Sequence, residues 1–200
     1  MDEIVIRSMA RWPDVPNVFG WLALDRRGRW LVKGRSGGFE RIGNAAVSEF
    51  IGRNYQRDDA GRWFFQNGPQ RVFVILRYMP LVYRLEQGGA RVIAHTGTAA
   101  QRVAAAWLDD AGGMLLETDV GAGMLDDRDL AEALALMRDD KGNVPDEPAI
   151  LQAIAGHADT GLHVRVGRAE VSLGTIAAAA TAARFGFIAD PRPPEGQPDC

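Results

Sequence analysis

Gly61-Arg62-Trp63-Phe64-Phe65-Gln66-Asn67-Gly68-Pro69-Gln70-Arg71-Val72-Phe73-Val74 decides the fold class of this chain. Two runs rich in aromatic and β-branched residues flank an Asn-Gly, the strongest short-range signal for a hairpin. Pro69 has no amide proton to give to a ladder, and it implies a loop longer than two residues. The stretch predicts a pair of antiparallel strands over 62–66 and 70–77.

Toward the N-terminus, Trp12-Pro13-Asp14-Val15-Pro16 must run extended, because each proline fixes its own φ and biases its predecessor away from helix. It leads into a strand over 19–24, a turn at Asp25-Arg26-Arg27-Gly28, and a second strand over 29–33. A glycine-rich stretch, 34–38, follows. Ile42, Ala46, Val47, Phe50 and Ile51 then recur at helical spacing, which predicts an amphipathic helix to about Arg53 with one buried face.

Toward the C-terminus, 81–85 and 91–95 read as a strand pair around Gln87-Gly88-Gly89. Residues 99–108 are rich in alanine and place Val103 and Trp107 four apart, which predicts a connecting helix ended by Gly112-Gly113. A strand over 114–118 and a helix over 126–137 capped by Asp126 or Asp127 come next. Pro148 suits the first turn of a helix to about Ala155, and 162–166 with 169–173 form a hairpin over Gly167-Arg168. The tail from Asp190 holds four of the ten prolines and reads as disordered.

The two halves share an order of parts. Residues 29–77 run strand, glycine-rich loop, helix, polar turn, hairpin; residues 114–173 run strand, glycine-rich loop (Gly121-Ala122-Gly123), helix, insertion, hairpin. The expected architecture is α+β: two similar strand-helix-hairpin modules of mostly antiparallel strands, over 1–97 and 98–190, joined by a helix and followed by a disordered tail over 191–200.

Composition bounds the function. Two hundred residues, 46% hydrophobic and 24% charged, sit at the globular average and suffice for one sizeable core or two small ones. A net charge of -3 gives no global field to attract nucleic acid or an anionic membrane, so nucleic acid is disfavoured as a partner and no membrane is expected. Met1-Asp2-Glu3-Ile4 lacks the charged and apolar regions of a signal peptide, and no stretch approaches the ~20 apolar residues of a span. A cytoplasmic protein is expected. The single cysteine, Cys200, offers no disulfide and no cysteine-based metal site.

Candidate chemistry is sparse. Gly34-Arg35-Ser36-Gly37-Gly38 matches the G-x-S-x-G of a nucleophile elbow and sits between a predicted strand and a predicted helix. A small serine hydrolase using Ser36 with His95, His157 or His163 is therefore the alternative reading. Against it, one hairpin precedes Ser36 where such a hydrolase needs several βα units. Arg26, Arg27, Arg29, Lys33 and Arg35 put five cations within ten residues beside glycines that expose backbone N–H groups, so Arg27, Arg29, Lys33, Arg35 and Ser36 are the candidate contacts for a small anionic ligand. The tryptophans Trp21, Trp30 and Trp63 are assigned to a core and not to base stacking. Asp126, Asp127, Asp129 and Glu132 fit no metal-binding loop, and acidic residues in a first helical turn follow from the helix dipole; no metal and no cofactor is expected.

The blocks Trp12-Pro-Asp-Val-Pro, Gly20-Trp21-Leu22-Ala23-Leu24-Asp25-Arg26-Arg27-Gly28-Arg29-Trp30, 61–74 and Arg184-Phe185-Gly186-Phe187 make the chain similar, over nearly its whole length, to an uncharacterised bacterial family of unknown function. More distantly, a helix ending near Asn54, an Asp-rich turn, a Gly-Arg-Trp hairpin and Val-Phe-Val resemble a second unknown-function family. That resemblance implies a repeated α+β motif and a role in signal transduction, and it transfers no catalytic residues. The preferred expectation is a non-enzymatic binding or regulatory protein that recognises a small anionic ligand or a protein partner.

Overall fold

A computed structural model describes residues 1–12, 15–156 and 160–194. The chain is mixed α+β, with a six-stranded and a nine-stranded sheet of mostly antiparallel strands. It divides into two compact units: residues 1–80 together with the chain from Gly186 onward, and residues 81–185.

The first unit opens with helix α1 (Glu3–Arg11), which the sequence reading did not anticipate. Strands β1 (Val18–Leu24), β2 (Trp30–Lys33) and β3 (Phe39–Arg41) form a meander. Helix α2 (Ala45–Arg53) follows, and β4 (Tyr55–Arg57), β5 (Trp63–Asn67) and β6 (Gln70–Leu76) form a second meander. The sheet order is β3-β2-β1-β6-β5-β4, with β1 and β6 parallel at the centre. Asn67 pairs with Gln70, so the loop is two residues, not longer. Gly68 takes φ +57 as the first turn residue, and Pro69 fits the second because its amide faces no ladder partner.

Asn44 caps α2 by accepting the Val47 N–H at 3.2 Å. Only the last turn of α2 buries side chains: Ile51 is 3% exposed, whereas Val47 is 42% exposed. The sheet supplies the rest of this core. Trp30 of β2 and Tyr55 of β4, with three strands between them in the order, meet edge to face at 5.0 Å, so the sheet curls around them. Gly186 onward completes the unit: Ile188 donates to the Gly61 carbonyl, the Ala189 carbonyl accepts from Leu76, and Pro191 is buried. The expected disorder of the tail thus fails for 191–194, where docking supplies contacts that composition does not register; 195–200 lie outside the described residues.

The second unit begins with β7 (Leu81–Glu86), β8 (Arg91–Ala94) and β9 (Ala99–Ala100). Strands β10 (Val103–Asp109), β11 (Met114–Thr118) and β12 (Ala122–Leu125) form a meander, followed by a 3-10 turn (Asp127–Asp129) and α3 (Leu130–Ala135). Then come β13 (Met137–Asp139), α4 (Glu147–Gly156), β14 (Leu162–Val166), β15 (Ala169–Ile176), a 3-10 turn (Ala178–Ala180) and α5 (Thr181–Phe185). The order is β13-β14-β15-β10-β11-β12-β7-β8-β9.

The helix expected over 99–108 is instead β9 and the central strand β10. Alanine favours helix in isolation, but here β10 lies between β15 and β11, and tertiary pairing overrides propensity. Trp107 lies across Gly174 of the neighbouring strand, where a Cβ would sit 2.7 Å from the indole. No helix joins the two units at that point. Leu115, Leu116, Tyr83, Met114, Met137, Val164 and Val166 form the core, each at 0% exposure. Among the described residues, no helix is long and apolar enough to cross a membrane.

Candidate functional site

The structure separates the residues that the sequence grouped. Arg27 and Arg29 belong to the β1–β2 turn, and Arg35 and Ser36 to the β2–β3 turn, at opposite ends of β2, about 13 Å of strand. Arg29 is engaged by Asp25, Nε to Oδ2 at 2.5 Å. Lys33 lies over the Trp21 ring at 5.8 Å. Gly34 and Gly38 close a hairpin turn, Gly34 donating to the Gly38 carbonyl at 2.7 Å. Ser36 is therefore exposed at a hairpin tip, because β3 intervenes before α2, and it lacks the strand-to-helix elbow that a nucleophile needs. Of the tryptophans, Trp30 is core at 3% exposure, while Trp21 is 42% exposed.

The histidines are engaged locally. His95 Nδ1 accepts the Val82 N–H at 3.2 Å. His163 lies between Asp140 (Nε2 to Oδ1, 2.9 Å) and Ser172 (Nδ1 to Oγ, 3.4 Å). This Ser-His-Asp row sits on the exposed surface of the β14–β15 hairpin, with the Asp140 side chain 73% exposed. In water the carboxylate stabilises an imidazolium weakly, which removes the advantage a buried triad has. His157 lies outside the described residues. Among them, no group of three or more His, Cys, Asp or Glu is placed to hold a metal.

A cleft of about 190 Å³ in the second unit gathers cations. Its walls are two hairpin turns and one strand start. The β7–β8 turn contributes Gln87, Ala90 and Arg91; the segment from β9 into β10 contributes Ala99 to Val103; the β14–β15 turn contributes Gly167 and Arg168. Gly167 donates to the Gly89 carbonyl at 2.7 Å, which locks the two turns together. Glycine suits position 89: its φ is +81, which strains any side chain, and a Cβ would push the Leu136 methyl aside. Gln87 holds φ +55, the one positive φ outside glycine among the described residues, and its side chain lines the cleft.

Arg91 is shared with Glu86 across the strand pair at 3.1 Å. Arg102 and Arg168 have no carboxylate within ion-pair distance among the described residues, although Asp119 accepts the backbone N–H groups of Gln101 and Arg102, both at 3.0 Å. The Arg102 N–H, ahead of the other contributions, holds the Asp119 carboxyl below its usual range and keeps it an acceptor for the backbone. The lining includes Ala90, Ala99, Ala100 and Val103 but no aromatic ring. Three guanidinium groups and two amides over a small aliphatic floor can hold a compact anion; they cannot stack a base. The sequence reading missed this cleft because its cations come from three segments far apart in the chain. The Gln-Gly-Gly run was the one local signal.

The fold and cleft define an α+β protein with no recognisable catalytic centre among the described residues. The chain belongs to the family described as Protein of unknown function (DUF2946), whose model matches residues 1–192. No curated protein matches. Among solved structures, a DUF1285 family protein from Silicibacter pomeroyi DSS-3 is similar at 14% identity and a TM-score of 0.48, covering 82% of this chain and 85% of that one. A DUF1285 family protein from Shewanella baltica OS155 is similar at 18% identity and a TM-score of 0.41, covering 56% and 91% respectively.

Proposed function

We propose that this is a non-enzymatic cytoplasmic binding protein built from two copies of one α+β module, and that its arginine cleft takes a small, ring-free polyanion such as pyrophosphate or the phosphate end of a larger molecule. The observation that carries the ligand is the convergence of Arg91, Arg102 and Arg168 on one cleft, where Asp119 is the carboxylate near Arg102 and neither Arg102 nor Arg168 has one within ion-pair distance among the described residues. Arginine forks match phosphate oxygens bidentately, and the aliphatic lining gives a ring nothing to pack on.

Strand order supports the duplication. The six strands β1 to β6 lie as β3-β2-β1-β6-β5-β4 about a parallel β1–β6 pair, and β10 to β15 lie as β12-β11-β10-β15-β14-β13 about a parallel β10–β15 pair. Each copy places its helix between the third and fourth strand. The equivalence runs from β1 and β10, one strand earlier than the shared order of parts over 29–77 and 114–173. The second copy adds β7–β9 before its meander and α4 between β13 and β14, and the cleft forms where the first of these additions meets the start of β10 and the β14–β15 turn.

The test is a thermal melt of the full chain with pyrophosphate, phosphate and sulfate. A ligand that binds only the folded state raises the melting point, by the equivalent of about 2.7 kcal/mol at a hundredfold excess over Kd. Pyrophosphate should stabilise the wild type, Arg102→Ala/Arg168→Ala should lose the effect, and Arg27→Ala/Arg29→Ala should keep it. No shift with any anion, or loss through the Arg27 and Arg29 change alone, sinks the assignment. A fluorophosphonate probe should label neither Ser36 nor Ser172; labelling of either revives the hydrolase.

A further inference from the structure

One face of the first unit's sheet carries cations and aromatic rings with no acidic strand residue among them. Register settles the face. Ala23 pairs with Leu31, Leu31 with Arg41, and Lys33 with Phe39, so these side chains share one side of β1–β2–β3. Glu40 pairs with Val32 and falls on the other. Trp21 sits on the cationic side, with the Lys33 ammonium 5.8 Å from its ring centre. Arg77 reaches the same side and lies 5.2 Å over Phe39. Trp21, Lys33, Arg41 and Arg77 are all exposed, and Arg35 stands exposed at the adjoining hairpin tip.

None of Lys33, Arg35, Arg41 and Arg77 has a carboxylate within ion-pair distance among the described residues. The charge is also unevenly divided along the chain. The first unit, residues 1–80 with 186–200, holds 14 Lys and Arg against 11 Asp and Glu, whereas 81–185 hold 9 against 15. The net charge of -3 thus hides a basic first unit, which is why composition argued against nucleic acid.

We infer that this face binds single-stranded nucleic acid without sequence preference, Trp21 stacking one base while Lys33, Arg35, Arg41 and Arg77 track the flanking phosphates. Sheet platforms serve single strands in this way, because every base has a π-face and the phosphates supply a uniform charge. An acidic peptide would meet the same cations but would gain little from a solvent-facing indole. Three strands at ~4.8 Å spacing and about 13 Å of strand length give room for roughly two or three nucleotides.

The experiment is fluorescence anisotropy of a labelled oligothymidine with the full chain, over a salt series, beside Trp21→Ala, Trp21→Phe and Lys33→Ala/Arg41→Ala. Trp21 and the two cations are exposed, so the variants should keep the wild-type melting point. Trp21→Ala should weaken binding several-fold and Trp21→Phe should restore most of it. Lys33→Ala/Arg41→Ala should flatten the log K against log[salt] slope by about 1.4, at ~0.7 for each of two phosphates on a single strand. No binding at low salt overturns the inference. So does binding that ignores Trp21→Ala, or that poly-glutamate competes away at equal charge.

Discussion

Asp109 makes in the second unit the turn that Asp25 makes in the first. Each carboxylate Oδ1 accepts the N–H two and four residues on, at 2.9 and 2.9 Å for Asp25 and at 2.9 and 2.6 Å for Asp109. Each backbone also closes Asp N to the carbonyl of the fourth residue, at 3.1 and 2.9 Å. Asp58 and Asp139 repeat the pattern with Arg62 and Asn143. The third residue after each aspartate is Gly28, Gly61, Gly112 or Gly142, all at φ between +71 and +83. The turn is Asp-x-x-Gly-x; it joins β1 to β2, β4 to β5 and β10 to β11, and at Asp139 it opens the β13–β14 connection that carries α4.

The four turns are not equally sensitive. Asp109 is fully buried, whereas the Asp25 side chain is 14% exposed and can be replaced by water. Asp109→Ala strands the buried Gly113 N–H and the part-buried Ala111 N–H and should cost about 2–3 kcal/mol; Asp25→Ala should cost about 1. Urea unfolding of both variants checks the ratio, and equal losses would contradict it.

Much of this was legible in the sequence. The 61–74 hairpin, the α2 segment and the β14–β15 hairpin follow from alternation and glycine placement, which act over a few residues. Of the four Asp-x-x-Gly turns, the one at Asp25 reads as a hairpin turn and those at Asp58 and Asp139 as polar turns, whereas 109–112 reads as the end of a helix. Their common identity is a matter of register, visible only once the flanking strands pair. The 99–108 segment was misread because alanine carries almost no side-chain signal, so β10 is defined by its neighbours β11 and β15. The arginine cleft was beyond local reading, since Arg91, Arg102 and Arg168 meet only once the β7–β8 pair, the start of β10 and the β14–β15 turn are brought together by the sheet.

Gly61 has two duties, and one substitution tests both. Its φ is +83, and a Cβ would run into the Gly186 carbonyl, which Arg57 Nη2 also holds at 2.7 Å. Gly61→Ala should therefore loosen the docking of 186–191 as well as strain the turn, at about 1–3 kcal/mol. Limited proteolysis should cut the variant between 186 and 194 faster than the wild type. Unchanged cleavage would show that the segment is held elsewhere.

Two tyrosines should resist ionisation. Burial pushes the Tyr55 and Tyr83 phenols well above 10; Tyr83 also bonds Thr118 at 2.8 Å and donates to the Gly121 carbonyl. The folded state favours the neutral form, so their stabilisation is complete below the unfolded pKa of about 10 and is lost as pH rises beyond it. Absorbance at 295 nm should show at least two of the three tyrosines un-ionised until the chain unfolds in alkali. Titration of all three in the folded protein would refute this.

Acid should expose the opposite dependence at Asp126. Its side chain is 1% exposed, and burial alone would raise its pKa. The Arg128 guanidinium, bonded at 2.8 and 2.6 Å, and the Arg128 N–H at 3.0 Å outweigh that and hold it at about 2. An aspartate depressed from about 3.9 contributes stability at neutral pH and loses it as pH falls from roughly 4 through 2. Because Arg128 is 54% exposed, solvent screens the pair, and about 1–2 kcal/mol is expected in place of the unscreened ~2.6. Arg128→Gln should be less stable than the wild type by that amount at pH 7, and the two stability curves should converge below pH 2, where Asp126 is protonated in both. A gap that persists at pH 2 would mean that Arg128 acts through packing and not through charge.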